Sequence, residues 1–495
     1  MTNAKHRLNT MSVHQLGKAF LAAVAVVAFA VAAPRAEAQN TTAYWVGAAG
    51  PNWNSVNWNT TSSTTANYTP VDGNNLRWGP ASVGGTSNND FPDLSVLSVS
   101  LQNGPANIVL NGNRLTVTNS FSADSAPNAT VGLPLRSAAA STFNISVLSN
   151  NTLTLNGVIS ATNSGSFLQF SGGGTINVNG LNTFTGNVRL GSGTSVSVNI
   201  NTLANKTSAQ SLGQGDVEFG FASGGTEGGG SINYTGGATT TNKGFRIGRN
   251  NSSYDSDPGV AFNNNGTGAV VWTGSQLLSS TIATNMVFNL GGTNTGNNDW
   301  QSVFADNSAT RSVGITKKGA GKWILSGSNT YTGATSVEEG VLLVNGSLAA
   351  GSAVTVDSGA VFGGNGTVNG NLTLDSGALF SFIPGDTLAL AGTLAIDPLL
   401  FGVASLRNST GGVIDWASIA NDTYTLMDTS FSFNSNTISN FGSTNAAPVA
   451  PGKTAYFEQG TNSLQLVVVP EPAVLGLAAC GVALLGPAVW RRRRA

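Results

Sequence analysis

The chain has 495 residues, 9% of them charged, with 63 glycines, one cysteine and a formal net charge of −1. Ordinary soluble domains carry about 25% charged residues and disordered chains lack apolar ones, so a chain that is 40% hydrophobic fits neither class. Between the two terminal segments, 14 basic and 21 acidic residues leave a net of −7, no electrostatic footprint for nucleic acid.

Lys5, Arg7 and Lys18 precede an apolar stretch from Ala19 to Ala33, followed by Ala36-Glu37-Ala38. A basic region, an apolar core and a small-x-small site are the parts of a secretory signal peptide. Residues 1–38 are therefore expected to be removed, with cleavage after Ala38 and Ala36 as the second small residue. The alternative is an uncleaved anchor, for which the apolar run is short. Residues 39–80 hold Trp45, Trp53, Trp58 and Trp78, four of the nine tryptophans. They are expected to form an aromatic cap over the first coil of a repeat stack. Exposed rings stacking on sugar are the alternative.

The body, 81–445, repeats itself. Residues 172–186 align without a gap to 319–333, with Gly172, Gly174, Gly180, Asn182, Thr183, Thr185 and Gly186 matching Gly319, Gly321, Gly327, Asn329, Thr330, Thr332 and Gly333. Phe184 falls on Tyr331. The pattern predicts a strand in which Trp323 and Leu325 face one side, with Lys322 and Ile324 on the other. A turn follows at Gly327 to Thr330, with Tyr331 over it, and then a strand from Val337 to Val344 around Gly340. A shorter period appears where Val356-Asp-Ser-Gly-Ala360 recurs as Leu374-Asp-Ser-Gly-Ala378. Strands are expected at 353–356, 367–368, 371–374, 387–390 and 393–396.

A period near 20 residues suits one coil of a right-handed parallel β-helix. The fold class is thus all-β, a parallel β-helix (β-solenoid) body between a signal peptide and a C-terminal transmembrane helix, whose sorting role rests on a resemblance given below. About 18 such coils would make a rod of roughly 85 Å. Residues 201–310 repeat least clearly, and loops are expected to project there. Residues 446–469 read as a closing strand pair, with Pro448 and Pro451 at its boundary.

The last segment, 470–495, begins with Pro470-Glu471-Pro472, continues apolar from Ala473 to Trp490 and ends on Arg491, Arg492, Arg493 and Arg494. Eighteen helical residues rise about 27 Å, the thickness of a bilayer's hydrocarbon core. The arginines would stay on the cytoplasmic side and leave the body outside.

His6, His14 and Cys480 all lie in the two end segments. A processed chain would have neither residue type, which removes Ser-His-Asp and Cys-His chemistry, ordinary zinc sites and disulfides. No catalytic residue, metal ligand or cofactor site is assigned. Carboxylate pairs at Asp216 and Glu218, Asp255 and Asp257, or Glu338 and Glu339 could in principle serve glycoside hydrolysis. Such pairs arise by chance among 21 acids. The Asn/Asp-rich turn at 250–257 is a weak calcium candidate without an EF-hand or nonapeptide pattern.

Two resemblances add to this reading. The order Pro-Glu-Pro, apolar helix, arginine cluster resembles the PEP-CTERM sorting signal of Gram-negative bacteria. That resemblance implies recognition by an exosortase after passage through the secretion machinery, with the inner membrane holding the chain before processing. A plain membrane anchor is the alternative. Lys317-Lys-Gly319-Ala-Gly321-Lys-Trp-Ile-Leu-Ser-Gly327-Ser-Asn329-Thr330-Tyr331-Thr332-Gly333 through Gly340 looks like the autotransporter-associated β-strand repeat. Its relatives are β-helical surface passengers, which implies a structural and adhesive protein of the cell surface or extracellular matrix, not an enzyme. The chain departs from true autotransporters in ending on an apolar segment and arginines, so self-transport through a barrel is not expected. A polysaccharide-binding or polysaccharide-cleaving β-helix, with extracellular polysaccharide as partner, is the alternative.

Overall fold

The computed structural model describes residues 41–471 apart from 48–49, 62–65, 80–81, 83–84, 103–106, 125–127, 192–193, 222–228, 250–259, 279–284, 397–400 and 430–437. The expected signal peptide, the apolar tail with Pro472 and Arg491 to Arg494, Asp255, Asp257 and the turn at 250–257 lie outside the described residues. None of the described helices is long and apolar enough to cross a membrane.

Short strands alternate buried and half-buried residues, as in Thr142–Val147 and Val196–Ile200. Period-two alternation gives each strand one core face. From Asn75–Trp78 to Leu394–Ile396 the strands pair in parallel with the next coil, not with their sequence neighbours. A 14-stranded sheet runs from Gly85–Asn89 to Leu394–Ile396, beside sheets of 12, eight and seven strands. From Thr335–Val337 onward the chain visits three faces in turn. Val341–Val344 lies in the eight-stranded sheet, Ser347–Leu348 in the seven-stranded one, and Val354–Val356 returns to the first. This is the β-solenoid expected from the repeats. The strands foreseen at 353–396 fall at Val354–Val356, Thr367–Val368, Leu372–Leu374, Leu388–Leu390 and Leu394–Ile396.

The number of coils differs from expectation. Val337, Val356 and Leu374 pair at steps of 19 and 18 residues, but Val198, Ile232 and Phe262 pair at steps of 34 and 30. The long coils lie in the 201–310 region. Fourteen stacked strands span about 60 Å, not 85 Å, because the strand spacing is fixed while the residues per coil are not.

Wider coils need larger side chains to fill them, and aromatic residues supply the volume. Trp272, Trp300 and Trp323 are fully buried with Phe245, Phe262, Phe288 and Phe304. Trp272 and Trp300 are paired in register and stack with centroids 4.7 Å apart and planes 5° apart. Phe245 meets Trp300 edge-on at 4.9 Å, the offset and T-shaped geometries that ring quadrupoles favour.

At the first end, Trp45, Trp53, Trp58 and Trp78 form one buried cluster with centroids 5.1 to 6.2 Å apart. Their faces are spent on one another, as a cap requires, and none is presented to a sugar. The cap segment, 39–80, also joins the stack. Thr42–Trp45 already stacks in parallel on Asn75–Trp78, which stacks on Ser95–Leu101, so the cap contributes the first rung itself.

Two further expectations change. The strand from Val337 to Val344 breaks at Gly340, whose φ of 72° turns the chain from one face to the next. Ile324 does face away from Trp323 and Leu325, but the outer side is covered. Ile324, Val341, Leu343 and Val361 make a small outer cluster, with Gly411 lying against Val341. At the far end the closing pair is a larger antiparallel unit. Ser463–Pro470, Lys453–Gly460 and Ala447–Ala450 add in that order to Asp422–Thr429, itself parallel to Leu388–Leu390. Pro448 sits in the outermost strand, where a missing N–H breaks no ladder. Pro470 ends Ser463–Pro470, and the Glu471 N–H donates to the Gly452 carbonyl at 2.8 Å.

Trp300→Ala should lower unfolding stability by about 3–5 kcal/mol, the cost of a large cavity in an aromatic core. Thr355→Ala, on an outer position, should change it by less than about 0.5 kcal/mol. Urea titration followed by circular dichroism checks both.

Candidate functional site: the stapled corner

The repeat motif occupies a corner at which the chain leaves one sheet, crosses a second and returns. Stacked coils bring their backbones together there, and each motif residue answers that approach.

Gly319 and Gly340 occupy equivalent turns one coil apart, with φ of 69° and 72°. A Cβ on Gly340 would lie 2.5 Å from the Gly319 carbonyl oxygen. Gly321, Gly327 and Gly333 likewise have backbone of the preceding coil where a side chain would begin. Lys317 closes the same turn. It stands in the core-facing row between Leu290 and Val337, fully buried. Its Nζ donates to the carbonyls of Lys318, Gly319 and Glu339, the first two at its own turn and the third on the next coil. Burial pulls its pKa down to about 8, against the Glu339 charge.

Asn329 holds three coils together. Its Oδ1 accepts from the Phe304 N–H at 2.9 Å, its Nδ2 donates to the Gly327 carbonyl at 2.9 Å, and its N–H donates to the Ser347 carbonyl at 2.8 Å. Asn182 repeats the device in the other copy. It accepts from the Ile159 N–H at 2.6 Å and donates to the Ser211 carbonyl at 2.7 Å. The Thr330 N–H donates to the Phe304 carbonyl. Thr332 donates to Asp306 through its N–H at 3.0 Å and its hydroxyl at 2.7 Å. Tyr331 is fully buried, and its hydroxyl lies 2.7 Å from Thr335 Oγ1, itself 2.8 Å from Ser352 Oγ on the next coil. Burial first, with the Thr335 and Ser352 hydrogen bonds opposing, leaves its pKa pushed up to about 12.

In the pair Asp216 and Glu218, both carboxylates meet cations. Glu218 is 2% exposed and lies 2.9 Å from Arg189 Nε and 3.6 Å from Arg246 Nη1, its register neighbours on both sides. Burial raises its pKa, with the Asn187 hydrogen bond and Arg246 opposing. Asp216 pairs with Lys206 at 2.6 Å and accepts from the Gly244 N–H. Glu218 is engaged by two arginines and the Asn187 side chain, Asp216 by a lysine and a backbone N–H. Glu338 and Glu339 sit exposed in the turn before Gly340, Glu338 within 3.8 Å of Lys318. Among the described residues, no group of three His, Cys, Asp or Glu side chains could hold a metal ion.

Two devices had escaped the sequence reading. Lys243, fully buried, donates to the carbonyls of Gly213 and Gly215, and burial brings its pKa to about 7 despite Asp216. A lone lysine in a weak repeat gave no signal. The other is a row of asparagines on the 14-stranded sheet, foreshadowed by the recurring pattern Thr175-Ile-Asn177-Val, Ser197-Val-Asn199-Ile and Ser231-Ile-Asn233-Tyr.

Residues 315–344 match the passenger-associated-transport-repeat family, the corner just described. This segment is the autotransporter-associated repeat expected from Lys317 to Gly340. Over 110 residues the chain is 33% identical to the Adhesin BmaC autotransporter of Brucella suis biovar 1 (strain 1330). The alignment covers 21% of this chain and 3% of that protein, so the chain spans a small fraction of the relative's length. No solved structure matches the chain.

Asn329→Ala leaves the buried Phe304 N–H unpaired and should cost about 1–3 kcal/mol in urea unfolding. Lys317 gives a pH signature. Its pKa is about 8 folded against 10.5 for the free group. Between these values the unfolded chain binds more protons, so stability rises with pH there and the gain is absent below the folded pKa. The urea midpoint should increase from pH 7.5 to pH 9.5. Lys317→Met should flatten that rise, the remainder coming from Lys243, which titrates in the same direction.

Proposed function

We propose that this protein is an exported, adhesin-type structural rod of the cell surface or extracellular matrix, acting through its extended shape and not through catalysis. One observation carries the reading. The segment that matches the passenger repeat is built from inter-coil staples, with its glycines, Asn329, Tyr331 and Lys317 all spent on holding coils together. The adhesin identity over 110 residues supports the surface location.

Export and retention rest on the ends. In this reading residues 1–38 direct secretion, and an exosortase recognises Pro470-Glu471-Pro472 with the apolar segment and Arg491 to Arg494. Pro470 and Glu471 mark the edge of the closing antiparallel unit, so a cut just beyond them would leave the folded rod whole. Mass spectrometry of surface-extracted protein should then find an N-terminus at Gln39 and a C-terminus near Pro470. Deleting residues 470–495 should move the protein from the surface fraction to the medium or periplasm and reduce cell attachment. A chain found intact in the cytoplasm, or attachment unaltered by loss of the protein, would overturn the proposal.

A further inference from the structure

Among the described residues, the outward positions of the 14-stranded sheet are uncharged. Its strands alternate inward and outward residues, and no described outward position holds Asp, Glu, Lys or Arg. One outward row runs in register from Asn128 through Thr175 and Ser231 to Thr355 and Thr373; between Ser231 and Thr355 it is buried at Ala261, Asn289 and Thr316. The 12-stranded sheet differs, since Arg77, Arg189, Glu218 and Arg246 occupy its outward positions.

The neighbouring outward row is a hydrogen-bonded ladder. Asn263 Nδ2 donates to Asn233 Oδ1 at 2.8 Å, Asn233 to Asn199 at 2.9 Å, Asn199 to Asn177 at 2.8 Å, and Asn177 to Thr154 Oγ1 at 3.0 Å. All four bonds point the same way along the rod. The next position is Gly291, where Asn263 Oδ1 fills the place a Cβ would occupy. An amide has two N–H donors and two acceptor lone pairs, so each interior rung keeps a lone pair unspent and the ladder fixes its rotamer in advance. Groups ordered before binding cost little to engage.

We propose that this face docks a neutral, hydroxyl-rich polysaccharide laid along the rod. The inference deepens the surface-adhesin reading above and rests on it. Charge selects the partner. A polyanion or polycation would find no counter-charge here, whereas sugar hydroxyls pair with amides and hydroxyls without stranding a charge. A protein interface draws its energy from buried aromatic or arginine anchors, and this face has none. Apolar side chains enter its outward rows at Val109, Val287 and alanines. Individually weak contacts repeat every 4.8 Å or so, and such multivalence along one chain builds useful avidity.

The test is retention of the purified full chain on dextran, swollen cellulose, alginate and chitosan, at low salt and at salt that screens surface charge. Retention on a neutral polysaccharide, insensitive to salt, is expected. The double variant Asn199→Glu with Asn233→Glu should reduce it by about tenfold or more. Thr355→Glu with Thr373→Glu, outside the ladder on the same face, should also reduce it while circular dichroism and the urea midpoint stay as in the parent. Ser146→Glu, on the outer side of the 12-stranded sheet, should leave retention unchanged. Retention by alginate or chitosan alone, by nothing, or unaffected by both double variants would overturn the inference. So would salt-independent self-association in sedimentation, lost in both double variants, without glycan retention; the occupant would then be a second copy. If the purified chain binds no glycan while its deletion still abolishes cell attachment, this inference alone fails and the adhesin reading stands.

Discussion

Everything in this molecule depends on parallel strands of successive coils hydrogen-bonding sideways. That pairing fixes the distance between coils at the strand spacing, about 4.8 Å, however many residues a coil contains. A coil by itself has no interior. Stacked, the coils share one continuous core in which Leu153, Ile176, Val198 and Ile232 lie directly over one another. The same constraint presses backbone against backbone at the corners, and so it dictates where side chains are forbidden and where polar groups must find partners.

The corners meet that demand with buried polarity. Carbonyls that turn away from the sheets at a corner must be satisfied or pay for their desolvation. Lys317 and Lys243 each gather two or three of them, a task that suits an ammonium group with three donors and no acceptor. Asn182 and Asn329 do the complementary work, supplying an acceptor to one coil and a donor to another. These lysines sit in a low-dielectric setting that depresses their proton affinity, which links the stability of the stack to pH.

The low charge of the chain has a structural consequence. On the 12-stranded sheet Arg189 and Arg246 neutralise Glu218, and Lys206 pairs with Asp216 beside it. The described outward positions of the 14-stranded sheet carry mostly amides and hydroxyls and no charge.

Much of this was legible in the residues. The gapless match of 172–186 to 319–333 located the stapled corner, because glycine and asparagine recur wherever the same backbone approach recurs. The alternating segments from 353 to 396 gave strands nearly to the residue, and four close tryptophans announced the cap. The coil count and the ladder were not legible. Within the 14-stranded sheet coil length varies from 18 to 34 residues, and only the pairing of Val198 with Ile232 shows where a long excursion rejoins the stack. The sequence by itself determined the class of fold, since alternation and turn chemistry are local. Which strands become neighbours, and hence the asparagine row, the lysine staples and the uncharged face, was decided by the tertiary structure. Register between coils is a long-range property that no single segment encodes.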